Sequence, residues 1–219
     1  MRINRIKQFF PGDKLLDVGC GFGFFLYVAK ETWDSQGIEL SDFASDFARD
    51  LTKTKVVNAD FLNVEFSEES FGIITMWDFI EHVSNPLAVL RKANKIMKMH
   101  GLLVISTPDV GSPVARILGN KWYLLVPPLH LFYFNSDTIS MLLKKSGFDI
   151  EKIEHKGKFF NIMYLAYRLG HLYPRYFSGR LYKSIVEQLS RIGFLANRSF
   201  YINTGDIMTV YAKKRKKIE

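Results

Sequence analysis

The most informative stretch of this 219-residue chain is LLDVGCGFGFFL, residues 15–26. Residues 15–18 are apolar apart from one carboxylate, which predicts a buried strand. Three glycines at alternate positions follow, and the apolar residues 24–29 can form a helix. Together a strand, a tight glycine turn and a helix N-terminus make a ligand site. The turn lets a ligand approach the backbone, and the free N–H groups at the helix start face it.

The glycine spacing argues against two common nucleotide sites. A dinucleotide-binding turn has its third glycine where this chain has Phe24, and a phosphate-binding loop needs a Gly-Lys-Ser or Gly-Lys-Thr that does not follow. With an aspartate just before it, the turn instead resembles motif I of the class I S-adenosylmethionine-dependent methyltransferases. The resemblance implies that the cofactor-binding residues of this stretch are Asp17, Gly19, Cys20, Gly21, Phe22 and Gly23.

Composition is typical of one globular domain, spanning residues 1–219. Hydrophobic residues make up 47% of the chain, which excludes a disordered protein, and a single cysteine excludes a disulfide framework. No signal peptide opens the chain, and no uncharged apolar run reaches the roughly 18 residues needed to cross a bilayer. No Cys/His pattern or acidic cluster with metal-ligand spacing occurs. We therefore expect a cytoplasmic protein, soluble or peripherally bound to a membrane, with no metal site.

The formal charge is +8, and part of it lies in the basic run at residues 213–217. A solvated terminal run is the simpler interpretation. Contact of this run with an anionic surface, lipid or nucleic acid, is the alternative.

Strand and helix patterns alternate along the chain. The predicted strands are residues 15–18, 35–40, 55–59, 71–77, 102–107, 148–155 and 206–213. Short links between strands and helices predict a doubly wound, mostly parallel α/β sheet with helices on both faces. The family resemblance adds a Rossmann-like seven-stranded order whose last strand is antiparallel.

Three helical segments carry further expectations. Ser41 caps a helix whose apolar residues fall on one face; they are Phe43, Ala44, Phe47, Ala48 and Leu51. A second helix begins at Asn85-Pro86 and ends at about Met99. A helical insertion at about 159–199, before the last strand, is predicted to be a lid or side wall, with a peripheral membrane contact or a dimer contact as alternatives.

Acidic residues follow the second and third strands. Glu39 lies about 20 positions beyond the glycine turn, where a carboxylate can accept both hydroxyls of a ribose, and Leu40 follows it. The alternative is a surface glutamate at a strand end. The resemblance implies that Asp60 accepts a hydrogen bond from the adenine amino group and that Phe61 packs on the ring. A turn aspartate beside a core phenylalanine is the alternative there.

Two later stretches sharpen the resemblance. They are WDFIEHVSNP, residues 77–86, and HLFYFNSD, residues 130–137, and both resemble small-molecule methyltransferases that include the ubiquinone-biosynthesis O-methyltransferases. This implies that Trp77 and Asp78 lie at the cofactor. His130 is the first candidate for a general base, because it belongs to a matched motif and histidine titrates near neutrality. His82 is the second candidate, and a purely structural role is the alternative for each.

The activity implied by this resemblance is methyl transfer from S-adenosyl-L-methionine to a small-molecule, sugar or lipid-linked acceptor, with a hydroxyl oxygen as the expected target. A nicotinamide oxidoreductase would need a glycine in place of Phe24. A DNA amino-methyltransferase would need a polar residue before Pro127-Pro128 and an aromatic one after, so no specific nucleic acid is expected. A protein that binds the cofactor without catalysis is the third alternative.

Overall fold

The computed structural model describes residues 2–10, 12, 14–155, 157–161, 179, 184, 187–188 and 199–218. Its α-helices are α1 (Arg2–Phe9), α2 (Phe24–Ala29), α3 (Asp42–Thr52), α4 (Pro86–Ile96), α5 (Pro113–Leu118) and α6 (Ser136–Lys145). Its strands are β1 (Leu15–Val18), β2 (Ser35–Glu39), β3 (Val56–Asn58), β4 (Phe71–Trp77), β5 (Met97–Pro108), β6 (Phe148–His155), β7 (Lys158–Asn161), β8 (Ser199–Ile202) and β9 (Ile207–Lys214). None of the helices in this part of the chain is long and apolar enough to cross a membrane.

Seven of the strands form one sheet, in the order β3-β2-β1-β4-β5-β9-β6. Strands β1 to β5 pair in parallel, whereas β9 is antiparallel to both β5 and β6. The predicted doubly wound α/β sheet with an antiparallel last strand is confirmed. Because parallel strands end at one edge of the sheet, the residues that follow β1, β2, β3 and β4 meet there.

Hydrophobic cores lie on both faces of the sheet. On one face, Ile6 of α1, Leu26 of α2 and Ala48 of α3 are buried against the strands. On the other face, α4 and α6 bury Leu90 and Leu143. Two packed faces make the sheet a rigid support for the loops at its edge.

The predicted boundary between α4 and β5 was wrong by several residues. Helix α4 ends at Ile96, and β5 begins at Met97, which is fully buried and pairs with Phe71 of β4. The pairing then jumps to Ile73 and Leu102, so the residues around Gly101 form an irregularity inside the strand and do not precede it. Burial of Met97 in the core outweighs the local helix pattern.

The predicted apolar face of α3 is divided in the structure. Ala44 and Ala48 are buried, but the side chains of Phe43 and Phe47 are 73% and 43% exposed. Helix α3 packs through its small residues, because a Cβ placed on Gly23 would lie only 2.9 Å from the Ala48 Cβ. The phenylalanines are left on the outer side of the helix.

The predicted helical insertion at about 159–199 falls almost wholly outside the described residues. At its ends, β7 and β8 pair in antiparallel register, with Phe159 opposite Tyr201. These end residues are strand and not helix, because each satisfies its backbone groups on the facing strand. The lid or side wall between them stays a prediction.

The basic C-terminal run is only partly solvated, whereas the simpler interpretation expected a solvated run. Lys214 is fully buried, and its Nζ donates to the Met97 carbonyl at 2.7 Å and lies 3.6 Å from the Glu69 carboxylate. Lys217 pairs with Glu68 at 2.6 Å. Strand β9 carries the start of this run into the sheet, and acidic residues neutralise part of its charge.

Candidate functional site

The glycine turn has a backbone that other residues would strain. Gly19, Gly21 and Gly23 have φ angles of +69°, +54° and +76°, in the left-handed region that favours glycine. Gly23 is also the N-cap residue of α2 and lies against Ala48, with no room for a Cβ. These contacts hold α2 close to α3 and leave the backbone of the turn open to a ligand.

Glu39 connects the turn to the end of β2. Its carboxylate accepts a hydrogen bond from the Gly21 N–H and another from the Ser41 N–H, each at 2.9 Å. The side chain is half-buried and lies at the carboxyl edge of the sheet. It is therefore an oriented acceptor beside the turn, which is the position that the sequence predicted for a ribose contact.

A cavity of about 470 Å³ lies at this edge, a size typical of small-molecule sites. It is lined by seven of the predicted site residues: Gly19, Glu39, Leu40, Asp60, Phe61, Asp78 and His82. The other lining residues were not predicted from the sequence; they are Ile38, Ala59, Leu62, Phe79, Val83, Ser84, Val89 and Leu131. Four of them, Phe79, Val83, Ser84 and Leu131, lie inside the two later stretches that carry the family resemblance, but no role was predicted for their side chains.

Six predicted cofactor residues do not line the cavity: Asp17, Cys20, Gly21, Phe22, Gly23 and Trp77. Cys20 is buried, and burial raises the pKa of its thiol. Trp77 packs against Phe25, with ring centroids 5.1 Å apart, and under the Arg2 guanidinium at 4.0 Å. Phe22 is exposed on the outer surface of the turn. A cofactor contact for these side chains stays a prediction. Their backbones lie at the carboxyl edge of the sheet, as the cavity does.

Asp17 lies buried at the end of β1, next to the turn. The Thr75 hydroxyl donates to its Oδ1 at 2.6 Å. Burial raises the pKa of Asp17 to about 7, which outweighs the opposing effects of the Thr75 hydrogen bond and the Arg2 charge. The site therefore contains a carboxyl group that is partly protonated near neutral pH.

Replacing Asp17 by asparagine is expected to change how stability depends on pH. The folded chain holds the Asp17 proton up to a pH of about 7, whereas the unfolded chain releases it near 3.8. The folded state binds more protons between these values, so the wild type should lose stability relative to Asp17→Asn as pH rises through this window. Urea unfolding of both proteins across the window measures the difference. The free energy of unfolding of the control Asp34→Asn, at an exposed position, should depend on pH as that of the wild type does. The same pH dependence in Asp17→Asn would contradict the raised pKa of Asp17.

Asp78 is held in an unusual conformation at the end of β4. Its φ is +49°, and its Oδ1 accepts a hydrogen bond from the Ser106 hydroxyl at 2.6 Å. A non-glycine residue in the left-handed region costs about 1–2 kcal/mol, and such positions cluster at binding sites. Its backbone N–H also donates to the Ser106 carbonyl, so β5 holds Asp78 at the cavity wall.

Glu81, His82 and His130 come together beside the cavity. One ligand-type atom from each lies within 4.8 Å of the other two, and the two imidazole rings are 4.8 Å apart. The Nδ1 of His82 lies 2.9 Å from the Leu129 carbonyl, and that of His130 lies 2.8 Å from the Leu124 carbonyl. A carbonyl can only accept, so in the neutral form of each ring Nδ1 carries the proton and Nε2 the lone pair.

The charge state of this cluster suits a proton acceptor or a metal ligand. Burial lowers the pKa of His130, against the opposing effect of the Leu124 carbonyl, and the neighbouring His82 lowers it further. Burial raises the pKa of Glu81 to about 7, and the Asp78 charge adds to this shift. The Glu81 Oε2 is buried and has no hydrogen-bond partner among the described residues. The sequence predicted no metal site, because these ligands come from stretches almost 50 positions apart.

Comparison with known proteins identifies the family of this chain. A family model described as "Methyltransferase domain" matches residues 2–153. A ubiquinone biosynthesis O-methyltransferase of Hydrogenovibrio crunogenus is 33% identical over 184 residues, which cover 77% of this chain and 76% of that protein. An enzyme of the same name from Cereibacter sphaeroides is 27% identical over 164 residues, covering 69% of this chain and 66% of that protein.

The fold has a counterpart among solved structures. The crystal structure of a putative methyltransferase from Bacillus halodurans aligns with a TM-score of 0.66 and 16% identity, covering 98% of both chains. That identity supports the fold alone. Because the family match extends over most of the chain and includes the glycine turn and the cavity, this protein belongs to the class I S-adenosylmethionine-dependent methyltransferases.

Proposed function

We propose that this chain transfers a methyl group from S-adenosylmethionine to a small molecule and that the target is a hydroxyl oxygen. The observation that carries this proposal is the cavity in which Glu39 and the glycine turn meet Asp78 and His82. The choice of oxygen rests on the relatives named as O-methyltransferases, at 27% and 33% identity. The chain spans 66% and 63% of the length of two of these relatives, so their whole activity cannot be transferred to it directly.

The cavity fits the parts of the cofactor. Glu39 would accept both ribose hydroxyls on the lone pairs of its two oxygens that the Gly21 and Ser41 N–H groups leave available. Asp60 lies at the opening, with one carboxylate oxygen held by the Leu62 N–H, which leaves the other for the adenine amino group. Phe61 is buried and offers an apolar surface beside it. The exposed backbone of the turn would contact the amino acid portion.

When bound, the cofactor supplies a methyl group that its positive sulfur has already activated. The protein then has to hold the acceptor in line and take up one proton. Correct orientation alone can lower a barrier by about 7–11 kcal/mol. His130, neutral and with a free Nε2, would accept the hydroxyl proton, and His82 beside it is the second candidate.

The first experiment tests cofactor and chemistry separately. Calorimetric titration should show binding of S-adenosylmethionine and none of NAD, since a redox coenzyme would need a different glycine spacing. Incubation with methyl-labelled cofactor and a fractionated small-molecule extract should then label one acceptor. Binding without any labelling would favour a non-catalytic binder, and labelling of a nucleic-acid fraction instead would favour a nucleic-acid methyltransferase.

A further inference from the structure

The outer side of the glycine turn carries a cluster of exposed aromatic side chains. They are Phe22, Phe24, Phe43 and Phe47, and we call this set the aromatic surface. The centroid of the Phe22 ring lies 6.0 Å from that of Phe43 and 5.4 Å from that of Phe47, so the turn and α3 share one continuous patch. Phe24 and Phe43 are nevertheless 67% and 73% exposed. A contiguous apolar patch of this kind marks a site of interaction.

The backbone beneath the aromatic surface is held firmly. Gly23 packs on Ala48 with no room for a Cβ, which fixes α2 against α3. The Ser41 hydroxyl caps α3 by accepting a hydrogen bond from the Ala44 N–H at 3.3 Å. A surface whose backbone is already ordered loses little conformational entropy when a partner binds.

The aromatic surface is large enough for a stable contact. A phenylalanine side chain presents about 200 Å², so the four rings together expose roughly 450 Å². Tyr27, one turn after Phe24 on α2, and Leu40, next to the cap of α3, are 48% and 68% exposed. They raise the exposed apolar area to about 650 Å² on the same scale. A typical interface buries about 800 Å² on each partner, with its polar rim included.

The charges on the elements of the aromatic surface are balanced. Helices α2 and α3, with their C-terminal caps, carry three acidic and three basic side chains, which are Asp42, Asp46, Asp50, Lys30, Arg49 and Lys53. Asp46 forms an ion pair with Arg49, and Asp50 forms one with Lys53 at 3.5 Å. The neighbouring carboxylates Glu39 and Asp60 belong to the cavity, where backbone N–H groups bind them. The whole chain carries a charge of +8, so two copies repel each other less where the local charge is balanced.

We propose that the aromatic surface is the contact between two copies of this chain related by a two-fold axis. A second copy fits because a two-fold contact pairs a patch with itself, so rings meet rings and no net charge opposes a like charge. If α3 lies antiparallel to its counterpart, the Asp42 end of one helix faces the Arg49 and Lys53 end of the other, which is favourable. Leu40 is exposed and also lines the cavity, so the second copy would lie beside the cavity mouth. The proposal concerns a surface and holds whatever the methyl acceptor is.

Sedimentation velocity at protein concentrations of about 1–100 µM tests this proposal without cofactor or acceptor. The wild type should change from monomer to dimer as concentration rises and should form nothing larger, because a two-fold contact is closed. Phe43→Glu and Phe47→Glu should each weaken the dimer about 30-fold or more, since each would bury an unpaired charge in the contact. Met141→Glu is the matched control, because it places the same charge on an exposed apolar side chain of α6, and it should dimerise as the wild type does.

Each other outcome overturns the proposal. A wild type that stays monomeric over the whole range does so directly and would leave the aromatic surface to a different protein. A dimer that both phenylalanine variants retain, or that Met141→Glu also loses, would place the contact elsewhere, and larger species would indicate a contact that does not close. Phe43→Ala adds no charge and should still weaken the dimer, though less than Phe43→Glu does. Thermal melts of every variant verify that lost dimerisation does not come from unfolding.

Discussion

Glu39→Ala is expected to bind S-adenosylmethionine at least about 100-fold more weakly than the wild type. A hydrogen bond to a charged acceptor contributes about 1.5–3 kcal/mol, and this carboxylate would make two of them to the ribose. The Glu39 carboxylate is already oriented towards the turn by the Gly21 and Ser41 N–H groups, so little ordering is needed on binding. Isothermal titration calorimetry measures the change in Kd directly.

The controls separate a binding effect from a folding effect. Glu39→Gln keeps the shape and one carbonyl acceptor, so its loss should be smaller than that of the alanine variant. Glu31→Ala removes an exposed glutamate shortly after α2 and should bind as the wild type does. If Glu39→Ala were folded and bound the cofactor within about threefold of the wild type, the assignment of the cavity to the cofactor would be wrong.

His130→Ala should lower turnover by about 10²- to 10⁴-fold and leave cofactor affinity nearly unchanged. The effect is large because the variant loses the Nε2 lone pair that the Leu124 carbonyl orients through Nδ1. Affinity should hold, since the residues that line the cofactor cavity do not include this histidine. Single-turnover transfer of a labelled methyl group, at saturating cofactor, measures the change.

The neighbours of His130 decide which role it has. His100→Ala, at an exposed histidine outside both the cluster and the cavity lining, is the control and should retain full turnover. If the cluster holds a metal ion, Glu81→Gln and a chelator should each reduce turnover as His130→Ala does, and added divalent cations should reverse the chelator effect. If His130 only accepts a proton, the chelator should have no effect. Full turnover in His130→Ala would remove this residue from the mechanism.

Much of the scaffold followed from local sequence. The bounds of β1 and β4 were predicted to the residue, because a short apolar run between turn signals is typical of a strand buried in a parallel sheet. The start of α2 was also predicted, because Gly23 ends the turn that precedes it. The end of α4 and the outward phenylalanines of α3 were not predictable in this way. Both features depend on tertiary contacts with residues that are distant in the sequence: strand pairing with Phe71 for the end of α4, and close packing on Gly23 for α3.

The sequence by itself determined the sheet, the glycine turn and the carboxylates that follow successive strands, because spacing along a chain is preserved when strands end at a common edge. Only the tertiary structure decided which of these side chains enter the cavity. Trp77 and Cys20 are the sequence neighbours of Asp78 and Gly19, but they do not line the cavity. Their side chains pack against α1 and α2 instead. The meeting of Glu81 and His82 with His130 is likewise a tertiary fact. Local periodicity carries no information on which distant loops share one edge, and burial in the folded chain is what shifts the pKa values of Glu81 and His130.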